Sequence, residues 1–292
     1  MATWNVNSIR ARLDRVRAYL AQGRVDVLAL QETKVRDQAF PAEALDGLGY
    51  QVAHFGLNQW NGVAVFSRVG LADVERSFPG QPGWGQPPAL EARALGATCG
   101  GIRVWSLYVP HGRGAEHPHM AYKLSWLEAL RAAAAGWLDA DPRARIALLG
   151  DWNVAPEDTD VWDPSVFEGL THTSAPERAA FAAFAHAGYR EVTREQLPAP
   201  HTYTQWDYQQ LRFPRDQGMR IDFAYCSPAL ADQVSGARIV RDERRGKGAS
   251  DHVPVEIDVD CPPLGGAAGL AGVAGLGGSQ PSHESEASDA AT

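Results

Sequence analysis

The sequence predicts an α/β fold, a sandwich in which mixed β-sheets pack against helices. Three observations indicate this fold class. Short β-branched and aliphatic segments recur along the chain, segments with apolar residues at helical spacing separate several of them, and short turns join others. Strands that are connected partly by helices and partly by turns are typical of layered α/β proteins with mixed sheets.

Six apolar segments predict strands. In chain order they cover residues 25–32, 62–67, 102–110, 145–154, 221–227 and 253–259. A further strand is expected to end at Asn5, and it should be short because the chain begins only three residues before Trp4.

Apolar residues at helical spacing predict three helices. The first contains residues 13–20, the second residues 124–138 and the third residues 181–188. Pro176 and Glu177 precede the third pattern and are typical of a helix N-terminus.

Composition divides the chain into a folded part and a tail. Residues 1–261 contain aromatic and aliphatic side chains throughout, whereas residues 262–292 consist mainly of Gly, Ala and Ser with a few acids and no aromatic residue. A segment of that composition has too little apolar surface to offset the entropy lost on folding. We therefore predict one folded domain over 1–261 and a disordered tail over 262–292.

Charge, cysteine usage and hydropathy exclude several classes of protein. The formal net charge is −8 at pH 7, whereas a protein that coats nucleic acid non-specifically needs an excess of basic residues. The widely spaced Cys99, Cys226 and Cys261 match neither a metal site nor a disulfide framework, which favours a reducing cytoplasm. Since no apolar run reaches the roughly 18 residues needed to span a bilayer, and no signal peptide is recognisable, we expect neither secretion nor membrane insertion.

Polar side chains lie at or next to the ends of several predicted strands. Any one of them could be a turn residue, a cap or an ion-pair partner. In layered α/β domains, however, strand ends and the loops beyond them are where functional groups converge. The set comprises Asn5, Glu32, Asp151, Asn153, Asp222, Asp251 and His252.

The chemistry of this set indicates a phosphate-ester hydrolase. Carboxylate and amide oxygens, with one histidine and no thiolate, are ligands for a hard divalent cation such as Mg²⁺ or Mn²⁺ and not for zinc. His252, oriented by Asp222, adds a general acid or base or a cation that binds phosphate. In the segment LLGDWNV an extended backbone would turn Asp151 and Asn153 to one face and pack Trp152 on the other.

Eight segments within residues 2–259 carry a resemblance to a known family. They are TWNVNSIRARL, LQETK, WNGVAVFS, LYVPHG, GDWNVAP, WDYQ, MRIDF and SDHVPV. In this order they resemble the exonuclease III family of AP endonucleases, which belongs to the DNase I-like endonuclease/exonuclease/phosphatase superfamily. The resemblance implies a four-layer α/β sandwich of two mixed β-sheets flanked by helices, with the catalytic domain over residues 1–261.

The resemblance also implies an activity and its partners. The protein would be a DNA-repair nuclease that uses Mg²⁺, with Mn²⁺ as a possible substitute, and hydrolyses the phosphodiester on the 5′ side of abasic sites in duplex DNA. It would also act at 3′ ends as an exonuclease and as a phosphodiesterase or phosphatase. We expect a monomer that binds double-stranded DNA with abasic sites or blocked 3′ ends, in a bacterial cytoplasm and at the nucleoid when acting.

Metal-binding residues carry over at matching positions. Glu32 resembles the metal-binding glutamate, and Asn5 beside it is a ligand or a neighbouring amide. Asp251 resembles a further acidic contributor, and Asp151 and Asn153 complete the implied metal set.

Catalytic roles carry over in the same way. Tyr108 resembles the tyrosine whose hydroxyl contacts the scissile phosphate. Asp151 would activate or position the attacking water, or protonate the leaving group, and the family permits either. Asn153 would orient the phosphate, and His252 paired with Asp222 would stabilise the charge of the transition state.

Two residues are implied in DNA binding, and two positions depart from the family pattern. Arg10 would contact a phosphate, and Trp206 resembles the aromatic residue that packs at an abasic site. Gln205 stands where relatives often have a second aromatic residue beside the tryptophan. His111 replaces the usual Asn or Gln.

Two other functions would use the same acids and histidine. One is a phosphatase or phosphodiesterase acting on inositol phosphates, sphingomyelin or nucleotides, and against it the segments SIRAR, WNGVA and WDYQ favour the branch that acts on DNA. The other is a DNA- or protein-binding module without catalysis, but none of the expected acids is missing.

Overall fold

The structure is a computed structural model and describes residues 1–260. These residues belong to one compact unit. The predicted tail, residues 262–292, lies outside the described residues.

Twelve strands and five α-helices form the described part of the chain. The strands are β1 (Ala2–Asn5), β2 (Val27–Gln31), β3 (Gln51–Phe55), β4 (Val63–Ser67), β5 (Ala72–Arg76), β6 (Ala94–Cys99), β7 (Ile102–Tyr108), β8 (Ile146–Asp151), β9 (Arg190–Glu191), β10 (Asp222–Cys226), β11 (Val234–Ile239) and β12 (Val255–Val259). The helices are α1 (Ile9–Ala21), α2 (Pro118–Ala140), α3 (Ala175–His186), α4 (Val192–Gln196) and α5 (Pro228–Ala231).

The strands form two six-stranded sheets, in the orders β11-β12-β1-β2-β4-β3 and β5-β6-β7-β8-β10-β9. Each sheet contains one parallel pair, β1 with β2 and β7 with β8, and its other pairs are antiparallel. Helix α1 connects the first parallel pair and α2 connects the second, as a parallel connection requires a crossover. The predicted α/β class with mixed sheets is confirmed.

Alternating side chains divide the molecule into four layers. In β2, Ala29 faces the core between the two sheets, whereas Leu28 and Leu30 pack on the side of α1. In β8, Leu149 faces the same inter-sheet core and Leu148 packs on the side of α2 and α3. A strand buried on both faces is apolar at every position, which is why these interior strands were recognisable in the sequence.

The strands that the sequence did not predict lie mostly at sheet edges. All four edge strands, β3, β5, β9 and β11, were missed. An edge strand pairs on one side only and needs less apolar surface; all five residues of β5 are exposed. The fifth missed strand, β6, is interior but contains Gly96, where a Cβ atom would come within 2.9 Å of the Trp105 ring. Because close packing requires small residues in β6, its sequence lacks the run of large apolar residues that predicts a strand.

Pairing of the strands brings the predicted polar residues to one end of the sandwich. Tyr108 on β7 and Asp222 on β10 are both cross-strand partners of Asp151, which ends β8 between them. Asn5 ends β1 opposite the last residue of β2, and Glu32 follows directly. None of the helices in the described range is both long and apolar enough to cross a membrane.

Candidate active site

A cleft of about 460 Å³ opens at this end of the sandwich. Six of the predicted site residues line it, and Asn5 and Asp222 are buried directly behind. The six are Glu32, Tyr108, Asp151, Asn153, Asp251 and His252. Register within each sheet and the packing of the two sheets therefore assemble residues that are up to 247 positions apart from one another in sequence.

His252 lies between two buried carboxylates. Its Nδ1 is 2.9 Å from Oδ2 of Asp222 and its Nε2 is 3.8 Å from Oδ2 of Asp151. Burial alone would lower the pKa of His252, but Asp222 and Asp151 outweigh it and raise that pKa to about 10. The imidazole is therefore protonated at neutral pH, with its Nε2–H directed toward the cleft side of the cluster.

The His252 pair makes a pH-dependent contribution to stability. The pKa of His252 is raised from 6.5 to about 10 in the folded protein, so its stabilisation is complete below pH 6.5 and is lost as the pH rises toward 10. In EDTA, we expect the melting temperature of His252→Gln to be lower than that of the wild type at about pH 6, with the difference shrinking toward about pH 10.

Thermal unfolding across this pH range tests the expectation. The exposed His186 near the end of α3 offers a matched control, and His186→Gln should show no such trend. A difference for His252→Gln that grows with pH would contradict the protonated pair.

Both oxygens of Asp151 accept hydrogen bonds. Asn5 Nδ2 donates to Oδ2 at 2.9 Å, and the backbone N–H of Asn153 donates to Oδ1 at 2.9 Å. Burial, opposed by the charge of His252, raises the pKa of Asp151 to about 7. A carboxyl group with this pKa can accept or donate a proton near neutral pH, which is the requirement for a general base or acid.

Asn5 joins Asp151 to Glu32. Its Nδ2 also donates to Oε1 of Glu32 at 2.8 Å, while Oε2 of Glu32 lies 2.7 Å from Nζ of Lys34. Both Glu32 and Lys34 have left-handed backbone conformations, with φ of 52° and 53°. This irregular turn after β2 directs the Glu32 carboxylate into the cleft.

The donor atoms fit a hard divalent cation. Single ligand atoms of Asp151, Asp222 and His252 lie within 4.8 Å of one another, and Oδ1 of Asp222 is buried with no hydrogen-bond partner among the described residues. Because a protonated His252 cannot ligate, the carboxylate oxygens of Glu32 and Asp151 are the better ligands at neutral pH. Such oxygen-rich sets suit Mg²⁺ or Mn²⁺.

Asn153 lies in the cleft, but not for the predicted reason. β8 ends at Asp151, and Asn153 has a left-handed φ of 50°, so the expected extended backbone is wrong, although both side chains line the cleft. The chain turns instead, which lets the Asn153 N–H bond back to Asp151 and its Nδ2 donate to the Val109 carbonyl at 2.9 Å. Trp152 packs in the core on the other side, among Phe181 and other aromatic residues.

Tyr108 and Asp251 both line the cleft. Burial and the nearby charge of Glu32 raise the pKa of Tyr108 well above its ordinary value, so its phenol keeps the proton. The Arg93 guanidinium lies 4.7 Å from the centre of the tyrosine ring. Although burial acts in the opposite direction, His252 and a hydrogen bond from Asn7 lower the pKa of Asp251, which therefore remains ionised.

The predicted position of Trp206 is wrong. Its side chain is 1% exposed and packs against Tyr203, Phe213 and Val253, with Nε1 donating to Asp216 at 3.1 Å. A ring that is buried in this way anchors its loop and presents no surface to an abasic site. An aromatic residue beside polar ones does not reveal by itself which of them turns inward.

Arg10 is exposed on α1 and does not line the cleft, so its phosphate contact stays a prediction.

Sequence reasoning missed part of the cleft wall. The apolar members of this wall are Phe167, Leu170, Met219 and Ile221, and its polar members include Arg113, Thr171 and His172. The segment MRIDF contains two of them, but no pattern marked residues 167–172 as close to Asp151.

Comparisons with known proteins agree with this architecture. A model described as the endonuclease/exonuclease/phosphatase family matches residues 2–252. An exodeoxyribonuclease of Bacillus subtilis is 29% identical over 267 residues, which cover 89% of this chain and 99% of the relative.

Solved structures agree with the architecture as well. A 3′ phosphatase from Neisseria, NExo, bound to a product DNA hairpin, has a TM-score of 0.82 and 34% identity, covering 89% of this chain and 98% of the other. An AP endonuclease from Archaeoglobus fulgidus has a TM-score of 0.82 and 32% identity over the same shares.

Proposed function

Because the chain belongs to the endonuclease/exonuclease/phosphatase family, we propose that it is a Mg²⁺-dependent DNA-repair nuclease. It hydrolyses the phosphodiester 5′ to abasic sites and removes nucleotides or blocking phosphates from 3′ ends. Its catalytic domain comprises residues 1–261, and it works as a monomer on duplex DNA at the nucleoid.

One observation carries the proposal: a buried carboxyl group with a pKa of about 7, Asp151, lies between an amide-bridged carboxylate, Glu32, and a protonated histidine, His252. Hydrolysis of a phosphodiester needs three kinds of group. Asp151 can transfer a proton, Glu32 can bind a cation, and His252 can donate a hydrogen bond to the phosphoryl oxygens. A divalent cation bound by Glu32 and Asp151 would offset the negative charge of the phosphate and lower the pKa of a bound water.

The protein side chains have separate tasks in this reaction. Asp151 accepts the proton of the attacking water or donates one to the leaving 3′ oxygen, and its pKa of about 7 in the protein without metal allows either. The Nε2–H of His252 and the neutral phenol of Tyr108 donate hydrogen bonds to phosphoryl oxygens as negative charge develops there. Asp222 holds the imidazole through Nδ1, which leaves Nε2 available to the substrate.

DNA as the substrate is supported by the relatives. The Neisseria structure contains a product DNA hairpin, and the Archaeoglobus protein is an AP endonuclease. With Trp206 buried, discrimination of an abasic nucleotide falls to the wall of the cleft. Its apolar side, which includes Met219 and Ile221, can contact a deoxyribose that lacks its base.

A cleavage assay tests the proposal. Duplexes that carry one abasic analogue, a nick with a 3′ phosphate or no lesion are compared with a small phosphomonoester, each with Mg²⁺ and with EDTA. We expect cleavage of the abasic and 3′-phosphate duplexes with Mg²⁺ and none with EDTA. Turnover of the small phosphomonoester alone would contradict the proposal and favour a phosphatase of small molecules.

A further inference from the structure

A buried ion pair lies beneath the cleft and takes part in none of the steps above. Lys123 on α2 pairs through Nζ with Oε1 of Glu177 in the first turn of α3, and both side chains are 0% exposed. Burial alone would raise the pKa of Glu177, but Lys123 and the hydrogen bonds around the carboxylate lower it to about 2. Two charges are therefore buried together. Burying them costs desolvation free energy that their attraction offsets only when hydrogen bonds also satisfy the remaining donors and acceptors.

Lys123 directs its remaining donor capacity to the floor of the cleft. Its Nζ donates to the backbone carbonyl of Asn153 at 2.6 Å and lies 3.4 Å from the carbonyl of His111. The Asn153 carbonyl is also 2.7 Å from Nδ1 of His172. One carbonyl in a left-handed turn is thus held by two side chains.

Glu177 binds the part of the cleft wall that contains Thr171 and His172. Its Oε1 accepts from Thr171 Oγ1 at 2.8 Å and from the His172 N–H at 2.9 Å, and its Oε2 accepts from Ser174 Oγ at 2.6 Å. Thr171 Oγ1 in turn reaches the carbonyl of His111 at 2.6 Å. The ion pair therefore ties together three loops that line the cleft, at residues 111–114, 151–153 and 171–172.

Asn153 transmits this restraint to Asp151. A left-handed φ of 50° is uncommon for a residue with a side chain, although asparagine adopts it more readily than most, and contacts from the surroundings stabilise it. In this conformation the Asn153 N–H donates to Oδ1 of Asp151. If the turn relaxed, the carboxyl group would lose this bond and one determinant of its direction.

We propose that Lys123 and Glu177 are positioning residues, whose buried pair holds the Asn153 turn and thereby fixes the Asp151 carboxyl group in its reactive orientation. The effect on catalysis rests on the proposed nuclease function, whereas the effect on the turn does not. The contact that distinguishes this pair from a purely structural one is the hydrogen bond from Lys123 to the Asn153 carbonyl, two residues after Asp151.

Removing both charges together separates positioning from stability. Lys123→Met alone leaves the Glu177 carboxylate buried without its counter-charge and should lower the melting temperature strongly. The double variant Lys123→Met/Glu177→Gln removes both charges and keeps an acceptor for Thr171, so its melting temperature should recover toward that of the wild type. Because the Asn153 carbonyl has lost Lys123 and keeps only His172 beside it, kcat should remain reduced by about 100-fold with little change in KM.

Amide hydrogen exchange gives a readout that does not depend on activity. In the double variant the Asn153 amide should exchange faster than in the wild type, while amides of β2 are unchanged. Glu256→Gln is a matched control, because Glu256 is a buried carboxylate bonded to Tyr19 in the first sheet, away from the cleft. That variant should lose stability and retain kcat.

The possible outcomes are distinct. If the double variant has wild-type kcat and wild-type exchange at Asn153, the pair has a structural role only and the inference is overturned. If the wild type cleaves no DNA, the proposed function fails. Exchange at Asn153 then decides the positioning role by itself.

Discussion

Replacing Asp151 with Asn should lower kcat for DNA cleavage by about 100- to 10,000-fold, the range expected when a positioned proton-transfer group is lost. The amide keeps the size of the carboxyl group and one oxygen that can accept from Asn5, whereas its NH2 group cannot accept from the Asn153 N–H. It can neither take the proton of water nor give one to a leaving oxygen. DNA affinity should stay within a few-fold of the wild type or rise, since a negative charge near the phosphate has been removed.

Single-turnover cleavage and fluorescence anisotropy in EDTA would measure the two effects separately. Asp160→Asn is the matched control: Asp160 is also a buried aspartate, paired with Arg194 and outside the cleft lining. It should lower stability and spare kcat. Near-normal cleavage by Asp151→Asn would show that another group transfers the proton.

Changing Glu32 to Gln should raise the Mg²⁺ concentration needed for half-maximal cleavage by about 100-fold, and EDTA should abolish cleavage by the wild type. Mg²⁺ binds anionic oxygens most strongly, and Glu32 offers a carboxylate in the cleft. The side chains bonded to this carboxylate are the Asn5 amide and the Lys34 ammonium group, and neither can replace it as an anionic ligand. The glutamine keeps the shape of the side chain and loses its charge.

Mg²⁺ titration of cleavage, together with calorimetric titration of Mg²⁺ into the protein without DNA, would check this expectation. Glu75→Gln serves as the control, because Glu75 is a surface carboxylate of β5 paired with Arg103. An unchanged Mg²⁺ requirement in Glu32→Gln would place the metal elsewhere, with the cluster of Asp151, Asp222 and His252 as the alternative position.

The sequence indicated the interior of the fold better than its edges. β2, β4 and β8 are buried along their length and contain mainly apolar residues. β5 is exposed at all five positions, so no hydrophobic pattern separates it from a loop. Its strand conformation depends on pairing with β6, a contact made by the backbone and not encoded by local composition.

The site divides along a similar line. Polar residues at the ends of apolar strands predicted that Glu32, Asp151 and His252 would meet, because functional groups converge at strand ends in layered α/β domains. The packing of the two sheets places Glu32 and His252, beside strands of the first sheet, next to Asp151 in the second. The burial of Trp206 was not predictable, since the same aromatic side chain can cover the core or face a ligand. The left-handed turn at Asn153 was not predictable either, because Lys123 and His172, which hold its carbonyl, come from elsewhere in the chain.

The amino-acid order by itself determined the class of fold, the set of oxygen donors and the family to which they belong, because burial and metal preference depend on residue type. Only the tertiary structure decided which atoms act on which. The pKa of Asp151, the protonated state of His252 and the turn at Asn153 arise from distances of a few ångströms between residues far apart in sequence. Electrostatic and hydrogen-bond energies depend on those distances, and the packing of the two sheets is what sets them.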